Sequence, residues 1–255
     1  MKLVLLTFFM IAFAATSLAA EGTPVSYKSG EETVNGILYT PQGKGPFPAL
    51  VVIHEYWGLN DWVKEQALKL ADQGYVVLAI DLYRGKVATT PDEAHQIMRG
   101  VPEDRASRDL LAASAYLRSL KNVDPARVGD IGWCMGGGYA LNLAIADPKL
   151  KAAVINYGHL ATDDATLKRI NAAILGIFGG QDKGITPADV NKFESQMKML
   201  GKTVEIHSFP DAGHAFENSD NKTAYRADDA AEAWKGDIHD DDLRIQRDSL
   251  LVGLG

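Results

Sequence analysis

Ile131-Gly132-Trp133-Cys134-Met135-Gly136-Gly137-Gly138 carries the densest signal in the chain. It has the form G-x-C-x-G-G and joins a strand-like segment, Val128–Gly132, to a helix of small residues over roughly Gly136–Ala146. A sharp turn from strand to helix leaves no room for side chains beside it, so glycine at 132 and 136 lets the two elements approach closely. The helix that follows aims its first N–H groups and the positive end of its dipole at the turn, a setting that stabilises negative charge there. A dinucleotide loop does not fit, because Cys134 stands where G-x-G-x-x-G needs its second glycine, and the P-loop lysine is missing. A buried cysteine acting as a small hydrophobe is the competing reading.

The flanking sequence supplies a sheet for this turn. Ala49–His54 (ALVVIH) and Tyr75–Ile80 (YVVLAI) are short, almost wholly apolar runs, as expected for strands buried on both faces. Thr33–Thr40, Ala152–Asn156, Ala172–Phe178 and Thr203–Phe209 are further strand candidates. Helical spacing marks Asp61–Gln73, closed by Gly74, then Glu103–Leu120, and Pro187–Leu200 with proline in its first turn. Residues 84–102 are more polar and read as an excursion from the sheet. Buried strands alternating with helices predict one α/β domain over residues 24–235, with a mostly parallel sheet and helices on both faces.

With serine in place of cysteine, the turn pattern is the nucleophile elbow of the α/β-hydrolase fold. In that fold an acid and then a histidine follow the nucleophile in the chain. Asp182 closes Phe178-Gly179-Gly180-Gln181-Asp182, directly after a buried strand, and His214 sits in Pro210-Asp211-Ala212-Gly213-His214-Ala215-Phe216, after the last strand. Both are loop positions at strand ends, where the catalytic groups of open α/β sheets collect. The order predicts a Cys134–His214–Asp182 triad. In it His214 is general base and then general acid, and Asp182 fixes the imidazole's tautomer and stabilises its charged form.

Four stretches make the chain resemble the dienelactone hydrolase family: Val52–Asn60 (VIHEYWGLN), Gln73–Tyr83 (QGYVVLAIDLY), the Cys134 elbow, and Gly180–Asp182 with Gly213–Phe216. The resemblance implies a single-domain α/β-hydrolase acting on esters or lactones through Cys134, Asp182 and His214. It adds Glu55, which in the family pairs with the thiol and helps ionise it when substrate binds. It implies backbone N–H donors for the oxyanion at Tyr56 and Met135. Trp57, Tyr83, Arg84 and Phe216 become candidates for contacting substrate. Thiolate attack on the carbonyl, loss of the alcohol and hydrolysis of the thioester require no metal or organic cofactor. The family's lactone carries a carboxylate gripped by arginines. Here Arg84 follows Tyr83 at a shifted spacing, and Asn218 stands four residues after His214, where the family has the second arginine. That departure leaves the charge of the substrate open. A ligand-binding protein or a thiol-redox protein on the same scaffold are the alternatives.

The chain's 255 residues, 46% hydrophobic and 23% charged, suit a globular protein with a large core. A formal charge of -7 argues against a nucleic-acid partner, which needs a basic footprint. The first 20 residues have a short positive start at Lys2, an apolar run over Leu3–Phe13, and small residues ending in Ser17-Leu18-Ala19-Ala20. They predict an export signal peptide cleaved after Ala19 or Ala20, a periplasmic or secreted enzyme, and no membrane span in the mature chain. One cysteine excludes an intrachain disulfide and a cysteine-only metal site. After Ala227–Trp234, which starts a helix, residues 236–255 turn glycine-containing and acidic and read as a tail of uncertain structure.

Overall fold

Leu50 and Val52 point to one side of the sheet and Val51 and Ile53 to the other, and all four are buried. That is why the run shows no polar alternation. It belongs to β3 (Phe47–Ile53) in a computed structural model that describes residues 22–238. The other strands are β1 (Thr23–Ser29), β2 (Glu32–Tyr39), β4 (Val76–Ile80), β5 (Val123–Trp133), β6 (Ala152–Asn156), β7 (Ala173–Gly179) and β8 (Val204–Phe209). Their order is β1-β2-β4-β3-β5-β6-β7-β8. β1 pairs antiparallel with β2 and β2 with β4, and every pairing from β4 to β8 is parallel.

Helices cover both faces. On one side Val51, Ile53, Leu78 and Ile80 pack with α3 (Glu103–Ser119), α4 (Met135–Ala146) and α6 (Pro187–Met199), through Leu110, Leu117, Leu143 and Phe193. On the other, Leu50, Val52, Val77 and Trp133 pack with Trp62, Val63, Ala67 and Leu70 of α1 (Asp61–Asp72) and Ala233 of α7 (Ala227–Ile238). The single α/β domain with a mostly parallel, doubly covered sheet is therefore as expected.

The differences lie at the margins. β1 was not anticipated, because its sequence TPVSYKS is polar. It forms a hairpin with β2 across Gly30, whose φ of 60° suits glycine, and only Tyr27 and Ser29 of the strand are buried. The excursion 84–102 contains α2 (Pro91–Arg99), which starts with proline at its first turn and the Thr90 side chain accepting from the Glu93 N–H. A short α5 (Asp164–Leu167) precedes β7. α7 runs through Gly236 to Ile238. The signal segment at residues 1–20 and the remainder of the C-terminal stretch, 239–255, lie outside the described residues. Among the described residues no helix is long and apolar enough to cross a membrane.

A polar cluster ties the β1–β2 edge to α3. Asp109 is fully buried, and its carboxylate accepts from Ser29 Oγ at 2.5 Å and from Arg84 Nη2 at 2.7 Å. Glu32 bridges Arg84 at 2.9 Å and Arg108 at 2.8 Å. A buried carboxylate is tolerated only when its oxygens are bonded, and removing it leaves its donors without acceptors. Asp109→Ala is expected to lower stability by about 2 kcal/mol or more, read from urea unfolding. An unchanged midpoint would show that this edge is held by packing alone.

Candidate active site

Four strand ends converge on one edge of the sheet, beyond the carboxyl termini of β3, β5, β7 and β8. Register brings the first two together: Ile53 pairs with Gly132, so Glu55 and Cys134 emerge side by side. Cys134 adopts φ 55° and ψ -117°, a conformation rarely open to a residue with a side chain. Such a residue costs about 1–3 kcal/mol and persists only where its surroundings impose it. Here the surroundings are close backbone contacts. A Cβ at Gly132 would overlap the carbonyl of Gly136, and one at Gly136 would overlap that of Ile53. The turn is clamped to β6, where Asn156 accepts from the Cys134 N–H at 3.0 Å through its carbonyl and donates its side-chain amide to the Gly132 carbonyl at 3.2 Å.

The loops after β7 and β8 are bonded to each other before their side chains meet. Gly180 N–H donates to the Phe209 carbonyl and Gln181 N–H to that of Ala212, both at 2.8 Å. Asp182 Oδ1 then accepts from the N–H groups of Gly184 (2.8 Å) and Ile185 (3.1 Å), which leaves Oδ2 facing His214 Nδ1 at 2.7 Å. His214 Nε2 lies 3.1 Å from Cys134 Sγ. The structure thus lines up Cys134, His214 and Asp182 by hydrogen bonds at both ends of the imidazole. Burial works against charge on Asp182, but His214 and the two N–H donors outweigh it and hold the carboxyl below its ordinary range. Burial also opposes charge on His214. Asp182 and Cys134 outweigh it there and push the imidazole up to about 10.

Glu55 is buried, and its carboxylate accepts from Asn218 Nδ2. Loss of solvent pushes this carboxyl up to about 7, against the lowering effects of Asn218, of His214 and of a hydrogen bond from Tyr157. The side chain within hydrogen-bond distance of Sγ is thus His214, while Glu55 is held by Asn218. Beneath this pair Glu217 accepts from the Trp133 indole N–H at 3.1 Å, and burial pushes it up to about 8.

A cavity of about 500 Å³ opens over Cys134 and is lined also by Glu55, Tyr56, Trp57, His95, Met98, Met135, His214, Ala215, Asn218 and Asn221. Tyr56 and Met135 both border it, and Met135 is the first residue of α4, whose N–H has no partner inside the helix. Trp57 lies in the wall. Tyr83, Arg84 and Phe216 do not. The Tyr83 hydroxyl sits 3.1 Å from the Tyr56 carbonyl and 3.2 Å from Met135 Sδ, bracing both residues from behind. Arg84 is turned into the Asp109 cluster. Phe216 is fully buried and packs edge-on against Tyr157 and near Phe209, under the histidine loop.

Sequence reading missed several supports. His54 is buried, its Nε2 accepts from the Leu82 N–H at 3.3 Å, and its Nδ1 lies 2.6 Å from the Glu55 carbonyl, which orients the loop carrying Glu55. Tyr157 stacks edge-on to the His214 ring at 5.2 Å. His95 and Met98 come from α2, inside the excursion whose helix was not anticipated.

The family model described as "Dienelactone hydrolase family" matches residues 34–239. A Methylorubrum extorquens protein named "Putative carboxymethylenebutenolidase" is 34% identical over 88% of this chain and 81% of its own length. An Escherichia coli protein of the same name is 32% identical over 76% of each chain. Among solved structures, a dienelactone hydrolase-like promiscuous phosphotriesterase from metagenomic libraries superposes with a TM-score of 0.78 and 26% identity, covering 85% of this chain and 95% of that one.

The raised carboxyl of Glu55 makes stability depend on pH. A folded-state value of about 7 against 4.5 means that the unfolded chain ionises this group first. The stability is therefore full below about pH 4.5 and is lost as pH rises through about 7. Glu55→Gln keeps a side-chain acceptor for Asn218 and removes the titration. It is expected to flatten the fall in Tm between pH 5 and pH 8, a difference of up to about 3 kcal/mol, measured by thermal unfolding of both proteins across that range. Parallel profiles would assign the pH dependence to other groups.

Proposed function

The chain belongs to the dienelactone hydrolase family of α/β-hydrolases, and from that premise we propose that it is an exported enzyme whose nucleophile is Cys134 and whose reaction passes through a thioester. As a member of that family it is an ester or lactone hydrolase. The observation that carries the finer reading is the unbroken chain of hydrogen-bond contacts from Asp182 through His214 to Cys134 Sγ, at 2.7 and 3.1 Å. Among the described residues, Cys134 is the side chain that stands between this base and the cavity.

The steps follow from the atoms in place. The Cys134 proton passes to His214 Nε2, and the sulfur attacks the substrate carbonyl carbon. The carbonyl's electron pair moves to its oxygen, which takes hydrogen bonds from the N–H groups of Tyr56 and Met135. Collapse re-forms the carbonyl and expels the alcohol oxygen, which takes the proton from His214. A water then gives a proton to His214 Nε2 and attacks the thioester. The sulfur leaves and recovers its proton, and a carboxylic acid is released. Asp182, held by two backbone N–H groups, keeps Nδ1 protonated so that Nε2 faces the sulfur. Glu55 borders the same cavity, close enough to His214 that the imidazole's charge favours the ionised form of this carboxyl. The signal-like pattern of residues 1–20 supports placing the mature enzyme in the periplasm or outside the cell.

With 4-nitrophenyl acetate, turnover is expected in the native protein and a fall of about a thousandfold or more in Cys134→Ala. Mass spectrometry after an acid quench is expected to find the acetyl group on Cys134. Undiminished turnover by the alanine variant would overturn the assignment of the nucleophile.

A further inference from the structure

We propose that the cavity over Cys134 selects uncharged esters or lactones, with Asn218 as the residue that sets this preference. The proposal deepens the reading of Cys134 as the acyl acceptor and rests on it.

The charges around the cavity are the starting point. Among the described residues no lysine or arginine lines it, whereas a carboxyl, Glu55, does. Asn218 is 2% exposed and borders the cavity beside Glu55. It offers an amide instead. Its Nδ2 donates to Glu55 and its Oδ1 accepts from the Asp220 N–H at 2.9 Å, so its orientation is fixed from both ends. The catalytic imidazole has both nitrogens committed, one to Asp182 and one to Cys134. His95 is an exposed imidazole whose ring packs against Tyr56 at 5.1 Å. Arg84 is committed to Asp109 and Glu32.

Lys222 lines an adjoining cavity that shares Tyr56, Trp57, Asn218 and Asn221 with this one. Its Nζ donates to the Ser219 carbonyl at 2.6 Å, and Asp220 lies in the same wall. A carboxylate entering beside Glu55 would give up its hydration, gain no lysine or arginine partner and face a like charge. An uncharged acyl group meets instead the apolar surface of Tyr56, Trp57, Met98 and Met135. The selection works by repulsion as much as by fit.

Two reagents of nearly equal size test this directly on Cys134. Iodoacetamide is neutral and iodoacetate carries a carboxylate. Alkylation rates of the full chain at pH 8, read by mass and each divided by the rate with glutathione, are expected to disfavour iodoacetate by about tenfold or more. Asn218→Arg is expected to recover about tenfold of that loss. Because residue 218 is buried, Met98→Arg serves as a second variant that puts a cation into the wall from α2.

An ester pair reads the same property in turnover: kcat/KM for 4-nitrophenyl butyrate is expected to exceed that for mono-4-nitrophenyl succinate by about tenfold or more. A normalised iodoacetate rate equal to or above that of iodoacetamide overturns the proposal, as does succinate turnover matching butyrate turnover. Failure of the underlying reading is distinct, since it shows as ester hydrolysis that survives Cys134→Ala.

Discussion

The backbone at Cys134 is the constraint on which the rest of the site depends. A non-glycine residue at φ 55° and ψ -117° does not hold itself there. It is forced by three segments pressed together: the end of β5, the start of α4 and the end of β3. The absence of side chains at Gly132 and Gly136 permits the approach, and Asn156 fixes it from β6. The strain lifts the sulfur out of the sheet into the cavity and puts the first turn of α4 directly behind it. A looser turn would lose the sulfur's reach to His214 and its place beside the first N–H of α4 together.

The second theme is how much ionisable chemistry is held out of water around that turn. Asp182 stays charged because its oxygens are bonded to N–H groups and to His214. Glu55 and Glu217 sit nearby with fewer donors, and burial drives both carboxyls up. The contrast is one of hydrogen-bond supply, since all three are acids at the same edge of one sheet. Charge is thus concentrated on the Asp182–His214 pair, and the neighbouring acids are kept near the point of neutralisation. Among the described residues no lysine or arginine lines the wall, so these groups weigh heavily in the cavity's field.

Much of this was legible in the chain. The elbow glycines, the run of buried strands and the order Cys134, Asp182, His214 are local patterns, because each reports a steric or periodic demand met within a few residues. The roles of Tyr83, Arg84 and Phe216 were not legible. All three lie near motif residues in sequence, yet they face the back of Tyr56 and Met135, the Asp109 cluster and the interior. Sequence proximity to a catalytic group does not say which side of the backbone faces the cavity. β1 was invisible for a related reason: a polar edge strand is stabilised by pairing with β2 and by Ser29 meeting Asp109, not by its own pattern.

By itself, then, the sequence determined the layered α/β fold, the sharp turn and the residue types able to do the chemistry, since these follow from apolar periodicity and the steric needs of glycine. Only the tertiary structure decided that Asn218 meets Glu55 across 163 positions of chain, that Tyr83 braces Tyr56 and Met135, and that α2 brings His95 and Met98 to the cavity. Those contacts depend on the order of strands in the sheet and on which loops its carboxyl edge draws together. Hydrogen bonds over such separations leave no periodic trace in the chain that makes them.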